Sequence, residues 1–267
     1  MVEMTIDVVD RGYFRCDLNY MIEGQTMATR DDPNPDVDFE PNAVYNLVLD
    51  HPEGTILYDT GIHHDAADGY WPDGMAQAFV PEVASEHRLD DDLAAEGWSV
   101  EDIDYVFMTH LHIDHAGGLE FFDGTDVPVF VHEDELKWAL YSANSEEGDD
   151  GYLPKELNHD LNWEVVKGSR RELFEDVEFW HQPGHTPGLM GMKVEHHSAG
   201  TIMFASDEVY RRTNYVDEVA LGAGLLWSRP HWEDSLADLK ELDAREDPEM
   251  VFGHDPGRFE EIRDGWP

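Results

Sequence analysis

The stretch Thr109-His110-Leu111-His112-Ile113-Asp114-His115-Ala116-Gly117-Gly118 packs four metal-ligating side chains into six residues. Imidazole nitrogens and carboxylate oxygens suit zinc and similar borderline divalent metals. At this spacing on a loop they can face two adjacent ions, where a helical His-x-x-x-His pair would face one. Gly117 and Gly118 let the backbone turn tightly beneath the site before a helix begins. Chance clustering among the chain's 15 histidines is the bland alternative, and it does not account for the order of residue types.

Composition bounds the rest. The chain has 267 residues, of which 41% are hydrophobic, enough for a sizeable core. It carries 60 acidic against 17 basic side chains, a formal net charge of −43. Eight Trp, ten Tyr and twelve Phe in periodic segments argue against disorder, so the acids belong on the surface. They are distributed, as in Asp90-Asp91-Asp92, Glu146-Glu147 and Asp149-Asp150, rather than gathered in one tail as a basic partner would favour. A fold so charged repels itself unless screened, and at molar salt the Debye length is about 3 Å. The composition therefore reads as adaptation to a salt-rich cytoplasm, and it argues against a nucleic-acid ligand, which needs a basic surface. Cys16 is the only cysteine, so neither an intrachain disulfide nor a zinc-thiolate site is available. The N-terminus lacks a basic start and an apolar h-region, and no run of 18 apolar residues occurs. The expectation is a cytoplasmic protein with no membrane association.

Strand and helix patterns alternate along the chain. Ala43–Asp50 and Thr55–Asp59 read as strands joined by the turn His51-Pro52-Glu53-Gly54. Val83–Gly97 reads as a helix closed by Gly97, Tyr105–Thr109 as a buried strand delivering the histidine loop, Val127–Val131 as a strand and Glu133–Tyr141 as a helix. Glu164–Val166, Val177–Trp180, Gly191–Val194 and Thr201–Ala205 read as strands, Trp232–Leu242 as a helix, and Met250–Phe252 as a last short strand. The two element types intermix to the end, so a single domain spanning residues 1–267 is expected. Gly24–Pro41, Tyr70–Pro81 and Asn144–Asp160 are long polar loops, either functional lids or tolerated insertions.

Four further segments offer a ligand at a strand end: Asp59-Thr60-Gly61, Pro183-Gly184-His185-Thr186-Pro187-Gly188, Ser206-Asp207-Glu208-Val209-Tyr210 and Phe252-Gly253-His254-Asp255. Each alone is weak, but the ordered set resembles the metallo-β-lactamase superfamily, and within it the N-acyl-homoserine lactonases, the quorum-quenching branch. The resemblance runs through Ile56–Gly61, Gly97-Trp98 to Asp104, Thr109–Gly118, Val127–Leu136, Gln182–Gly188, Asp207 with Tyr210, and Phe252–Asp255. Residues 13–41 and 62–81 depart from the family pattern, and they are the regions expected to shape an acyl pocket.

The resemblance implies an α+β fold, the four-layer αβ/βα sandwich with metals at one edge of two mixed sheets. It implies one metal held by His110, His112 and His185, a second by Asp114, His115 and His254, and Asp207 bridging them. Such a set leaves an open position on each ion for a shared water, whose pKa two cations lower toward neutrality, making it the nucleophile that opens a lactone ring. Zinc is the expected metal, with iron, manganese or cobalt as alternatives. Asp114 is implied as proton carrier to the leaving alkoxide, and Tyr210 as a donor to the substrate carbonyl. Asp59, or less strongly Thr186, would orient a ligand imidazole. Trp71, Met75, Phe79 and Ile113 are candidates for lining an acyl pocket, against ordinary packing. His63 and His64 read as surface histidines that could lie near the metals. The partner is then a small-molecule lactone, and self-association as a homodimer stays open.

These residues disfavour other readings. A glyoxalase II-like thioester hydrolase shares the His-x-His-x-Asp-His core but recruits basic residues for a glutathione carboxylate, and those are scarce here. A flavodiiron-like protein would want Glu at position 112 and a flavin domain. An RNA-processing nuclease conflicts with the charge. A non-catalytic metal-binding protein would not need seven ligands together with Tyr210.

Overall fold

The protein is described by a computed structural model covering residues 2–222 and 224–267. Its first sheet holds β1 (Thr5–Asp17), β2 (Phe39–His51), β3 (Gly54–Tyr58), β4 (Tyr105–Phe107), β5 (Pro128–His132) and β6 (Asn162–Val166), in that spatial order. The β1, β2 and β3 strands run antiparallel, then β3 to β6 pair in parallel. The second sheet runs β11-β10-β9-β8-β7, built from β7 (Arg170–Phe174), β8 (Val177–His181), β9 (Met190–His196), β10 (Gly200–Phe204) and β11 (Glu249–Val251). Only the β10/β11 pair in it is parallel.

Strand periodicity decides what each layer buries. In β3, Ile56 and Tyr58 face the second sheet while Leu57 faces outward; in β5, Phe130 points inward and Val129 and Val131 outward. From the other side, Ile202 and Phe204 of β10 meet them, with Met190, Met192 and Val194 of β9. The outer face of the first sheet is covered by Leu89 and Leu93 and by Ala139 of helix Glu133–Ala143. The outer face of the second packs Trp180 and Met203 against Trp232, Leu236, Leu239 and Leu242 of helix Arg229–Glu246. Helix, sheet, sheet, helix is the expected four-layer α+β sandwich, and central strands such as β3 and β5 are apolar on both faces because each sheet is covered on both sides.

Four expectations need correction. The helix expected over Val83–Gly97 is broken into a 3-10 turn at Ala84–Glu86 and a helix at Leu89–Ala95, with Arg88 extended between them. Its first part packs against the bulge of β1: a side chain at Gly12 would meet His87 Cδ2 at 2.6 Å and Val83 Cγ2 at 2.7 Å. The turn after Gly118 continues as the 3-10 segment Leu119–Phe122, not as an α-helix. The expected loops Tyr70–Pro81 and Asn144–Asp160 each contain a short helix, Asp73–Ala78 and Pro154–Leu157. Strands β1 and β7 and the helix Pro256–Ile262 carry no counterpart in the pattern reading.

Candidate metal centre

Every residue expected at the site follows a strand end at one edge of the sandwich. Asp59 follows β3, the histidine loop follows β4, His185 sits in the β8–β9 connection, Asp207 follows β10 and His254 follows β11. Two backbones there are held in the left-handed region, Asp59 (φ 56) and Ser206 (φ 48), a conformation that persists only when surroundings enforce it. The loop is pinned from below: Thr60 N–H and Thr60 Oγ1 both donate to His115 O, at 2.9 and 2.7 Å. Gly117 is required at this crossing, since a Cβ would lie 2.1 Å from the His63 backbone nitrogen.

The structure brings all seven expected ligands together, as His110, His112 and His185 in one group and Asp114, His115, Asp207 and His254 in the other. Within each group the ligand atoms lie within 4.8 Å of one another. Asp207 stands between the groups, its Oδ2 3.6 Å from His110 Nε2, 3.6 Å from His185 Nε2, 3.4 Å from His115 Nε2 and 3.3 Å from His254 Nε2. Asp114 Oδ2 is 3.4 Å from His254 Nε2 and 3.8 Å from His115 Nε2. All except Asp114 are buried.

Outward nitrogens decide what the inward ones can do. His115 Nδ1 lies 2.8 Å from Asp59 Oδ2, His185 Nδ1 2.6 Å from Leu225 O, and His254 Nδ1 2.8 Å from Ala43 O. An imidazole that donates outward to oxygen presents a lone pair inward. These lone pairs face one another: His185 Nε2 is 3.2 Å from His110 Nε2 and 2.8 Å from His112 Nδ1, and the buried His115 Nε2 has no hydrogen-bond partner. Opposed nitrogen lone pairs around a carboxylate fit divalent cations.

Charge follows this geometry. Burial, then the neighbouring His115, holds His110 well below the usual imidazole value. Burial and His112 lower His185 to about 4. Burial opposes charge on His115 as well, but the carboxylates of Asp207, Asp114 and Asp59 outweigh it and raise that pKa. Asp207 is drawn far down by His254 and His115 despite its burial. His110 and His185 thus favour a cation by lone pairs, whereas Asp149 outweighs burial and raises His112; the other group favours a cation mainly by negative charge.

Asp59 takes the role expected of it, accepting from Thr109 N–H and Thr109 Oγ1 at 2.8 Å each while facing His115. Thr186 does not: its Oγ1 donates to Glu135 Oε2 at 2.6 Å instead of meeting an imidazole. Glu135, absent from the sequence reading, also accepts Leu111 N–H at 2.9 Å and Tyr152 OH at 2.8 Å, and so ties the histidine loop to helix Glu133–Ala143. Gly188 lets the His185 loop close against that helix, as a Cβ there would sit 2.1 Å from Glu135 N. Tyr210 is 3% exposed, its hydroxyl 3.2 Å from His185 Nδ1 and 3.3 Å from Nε2. Burial and the carboxylates raise its pKa, so the hydroxyl keeps its proton.

His63 and His64 lie outside both groups, and His63 is buried rather than a surface residue. His63 stacks on Tyr70 at 3.5 Å, its Nδ1 accepts Asp65 N–H, and its Nε2 is 3.5 Å from Glu120 Oε1. A cavity of ≈ 470 Å³ opens beside the metal-ligating cluster. Its walls include Asp114 and Tyr210, the four apolar candidates Trp71, Met75, Phe79 and Ile113, and Phe14, Tyr20 and Trp227. No lysine or arginine is among its lining residues.

Comparison with known proteins agrees with this geometry. The family model described as the metallo-beta-lactamase superfamily matches residues 40–254, which include all seven clustered residues. The chain belongs to the metallo-beta-lactamase superfamily. An N-acyl homoserine lactonase of a Bacillus species is 31% identical over 215 residues, covering 79% of this chain and 81% of the relative. The N-acyl homoserine lactonase AiiB of Agrobacterium fabrum is 29% identical over 262 residues and 94% of each chain. Among solved structures, an N-acyl homoserine lactone hydrolase with its product N-hexanoyl-L-homoserine at the catalytic metal centre superposes with a TM-score of 0.82. That similarity covers 98% of both chains at 26% identity. This metallo-beta-lactamase superfamily member is a metal-dependent hydrolase.

Proposed function

We propose that residues 1–267 form one metallo-β-lactamase-like domain that opens the lactone ring of N-acyl homoserine lactones or related lactones. The observation that carries the reading is that the cavity is lined both by Asp114, a member of the seven-residue cluster, and by Tyr210, whose hydroxyl adjoins His185 of that cluster. His110, His112 and His185 would hold one divalent metal, and Asp114, His115 and His254 the other, with Asp207 between them; zinc is the metal proposed. When bound, the two ions supply a water acidic enough to attack at neutral pH and a Lewis acid for the ester carbonyl.

The chain's own groups then perform the rest. The aromatic cavity takes an uncharged acyl chain and excludes water from it. Tyr210, buried and protonated, donates from its hydroxyl to the carbonyl oxygen as negative charge develops there. Water adds to the carbonyl carbon and gives up a proton, the ring C–O bond breaks, and the leaving alkoxide takes up that proton, with Asp114, a carboxylate of the cavity wall, as its carrier. The product is an acyl homoserine carrying a free carboxylate and hydroxyl. A glutathione thioester would need a cation for its carboxylates, and the lining supplies none. The acid-rich surface and the absence, among the described residues, of any helix long and apolar enough to cross a membrane are compatible with a salt-rich cytoplasm as its location.

The test is a pH-stat comparison of short- and long-chain acyl homoserine lactones with a thioester panel. Proton release from lactones should exceed that from every thioester; faster thioester hydrolysis would overturn the reading.

A further inference from the structure

Each imidazole of the centre needs its outward nitrogen fixed so that the inward one presents a lone pair. For four of the five, a backbone carbonyl or a buried side chain does this: Asp59 for His115, Leu225 O for His185, Ala43 O for His254, and Thr109 Oγ1, 3.0 Å away, for His110. His112 is turned the other way. Its Nδ1 faces the cluster, 2.8 Å from His185 Nε2, and its buried Nε2, which makes no hydrogen bond among the described residues, faces the 144–153 loop, where Asp149 Oδ2 forms an ion-pair contact 3.5 Å away.

That loop is docked against His112 at several points. Ile113 N–H donates to Gly151 O at 3.0 Å, and the Tyr152 ring lies 4.5 Å from the His112 ring. Gly151 has no room for a side chain, since a Cβ would lie 2.8 Å from His112 Cδ2. Asp149 is aimed by its other oxygen, which accepts Gly151 N–H at 2.8 Å. Its side chain is 32% exposed and lines the cavity together with Asp150.

We propose that Asp149 is a positioning residue that holds the Nε2–H tautomer of His112, so that Nδ1 stays free for the metal shared with His110 and His185. The inference rests on the two-metal reading of the centre. It adds that His112 is oriented by an acidic side chain of the cavity wall, so that the packing of the 144–153 loop and metal affinity are linked. Nothing in the local sequence marks Asp149 for this: it is one acid in the run Glu146-Glu147-Gly148-Asp149-Asp150.

The experiment is chelator competition on zinc-loaded and cobalt-loaded protein, which resolves two metal dissociation constants without any turnover. Asp149→Ala should weaken one of the two metals by about 10- to 100-fold and leave the other unchanged. Asp149→Asn, whose amide oxygen can still accept from His112 Nε2, should lose less. Asp150→Ala, which removes another cavity acid, should match the wild type, and metal-free Asp149→Ala should remain folded with a cooperative unfolding transition. Unchanged constants in Asp149→Ala, or an equal loss in Asp150→Ala, would overturn the proposal. Two tightly bound metals without lactone turnover would sink the lactonase reading and leave this one standing.

Discussion

Replacing Asp59 with alanine tests the framework beneath the metal centre. The carboxylate is 2% exposed and meets three donors at 2.8 Å each: Thr109 N–H, Thr109 Oγ1 and His115 Nδ1. Hydrogen bonds to a charged partner contribute about 1.5–3 kcal/mol each, and losses around one group overlap. Removing one member of a buried charged network costs about 3–5 kcal/mol. Alanine would also inherit the φ of 56° at this position, a further penalty of about 1 kcal/mol. Metal-free Asp59→Ala should therefore be about 4–6 kcal/mol less stable than wild type in urea unfolding at high KCl. Asp59→Gly should recover about 1 kcal/mol of that by relieving the backbone. Asp59→Asn keeps an acceptor for Thr109 N–H but presents an amide N–H where His115 must donate. It should cost less stability yet weaken the metal at Asp114, His115 and His254 by about 10- to 100-fold. If Asp59→Ala unfolds within about 1 kcal/mol of wild type, the reasoning fails, because that is the scale of a mutation without structural consequence.

Further outcomes follow from other parts of the molecule. Tyr210→Phe should retain fold and both metals while kcat falls by about 10- to 1,000-fold, the scale of one lost oxyanion donor; unchanged turnover would return Tyr210 to a packing role. Burial and the stacked His181 lower His132 from 6.5 to about 4, so between these values the unfolded chain binds a proton that the native one refuses. Stability should fall as pH drops through that window, and metal-free His132→Gln should show a shallower fall than wild type in urea titrations. With a formal charge of −43, the thermal midpoint at saturating metal should climb steeply from about 0.1 to 3 M KCl; a flat profile would refute salt adaptation.

Much of the site was legible because its ligands are local motifs at strand ends. Apolar runs such as Ile56–Tyr58 and Val129–Val131 mark strands covered on both faces, and the histidine loop is continuous in sequence. What escaped depends on contacts across the fold. The alternation of β1 is interrupted between Asp10 and Tyr13 by a bulge, where the buried Arg11 pairs with Asp92 and reaches Ile62 O. No period in Thr5–Asp17 announces a charged residue turned inward. Glu135 reads as one acid at a helix N-terminus, and only the His185 loop crossing over it explains its burial. Proximity to His185 in sequence makes Thr186 a candidate to orient an imidazole, but the fold turns its hydroxyl to Glu135. The departures at residues 13–41 and 62–81 had a physical meaning, since Phe14, Tyr20, Trp71 and Phe79 from those segments line the cavity.

The central claim is ring opening by water attack at the lactone carbonyl. Its most direct measurement is mass spectrometry of N-hexanoyl homoserine lactone turned over in ¹⁸O-enriched water. The account predicts one product, N-hexanoyl homoserine, with a single heavy oxygen in the carboxylate and none in the side-chain hydroxyl. Release of hexanoate with an intact lactone ring, or label in the hydroxyl, would contradict it.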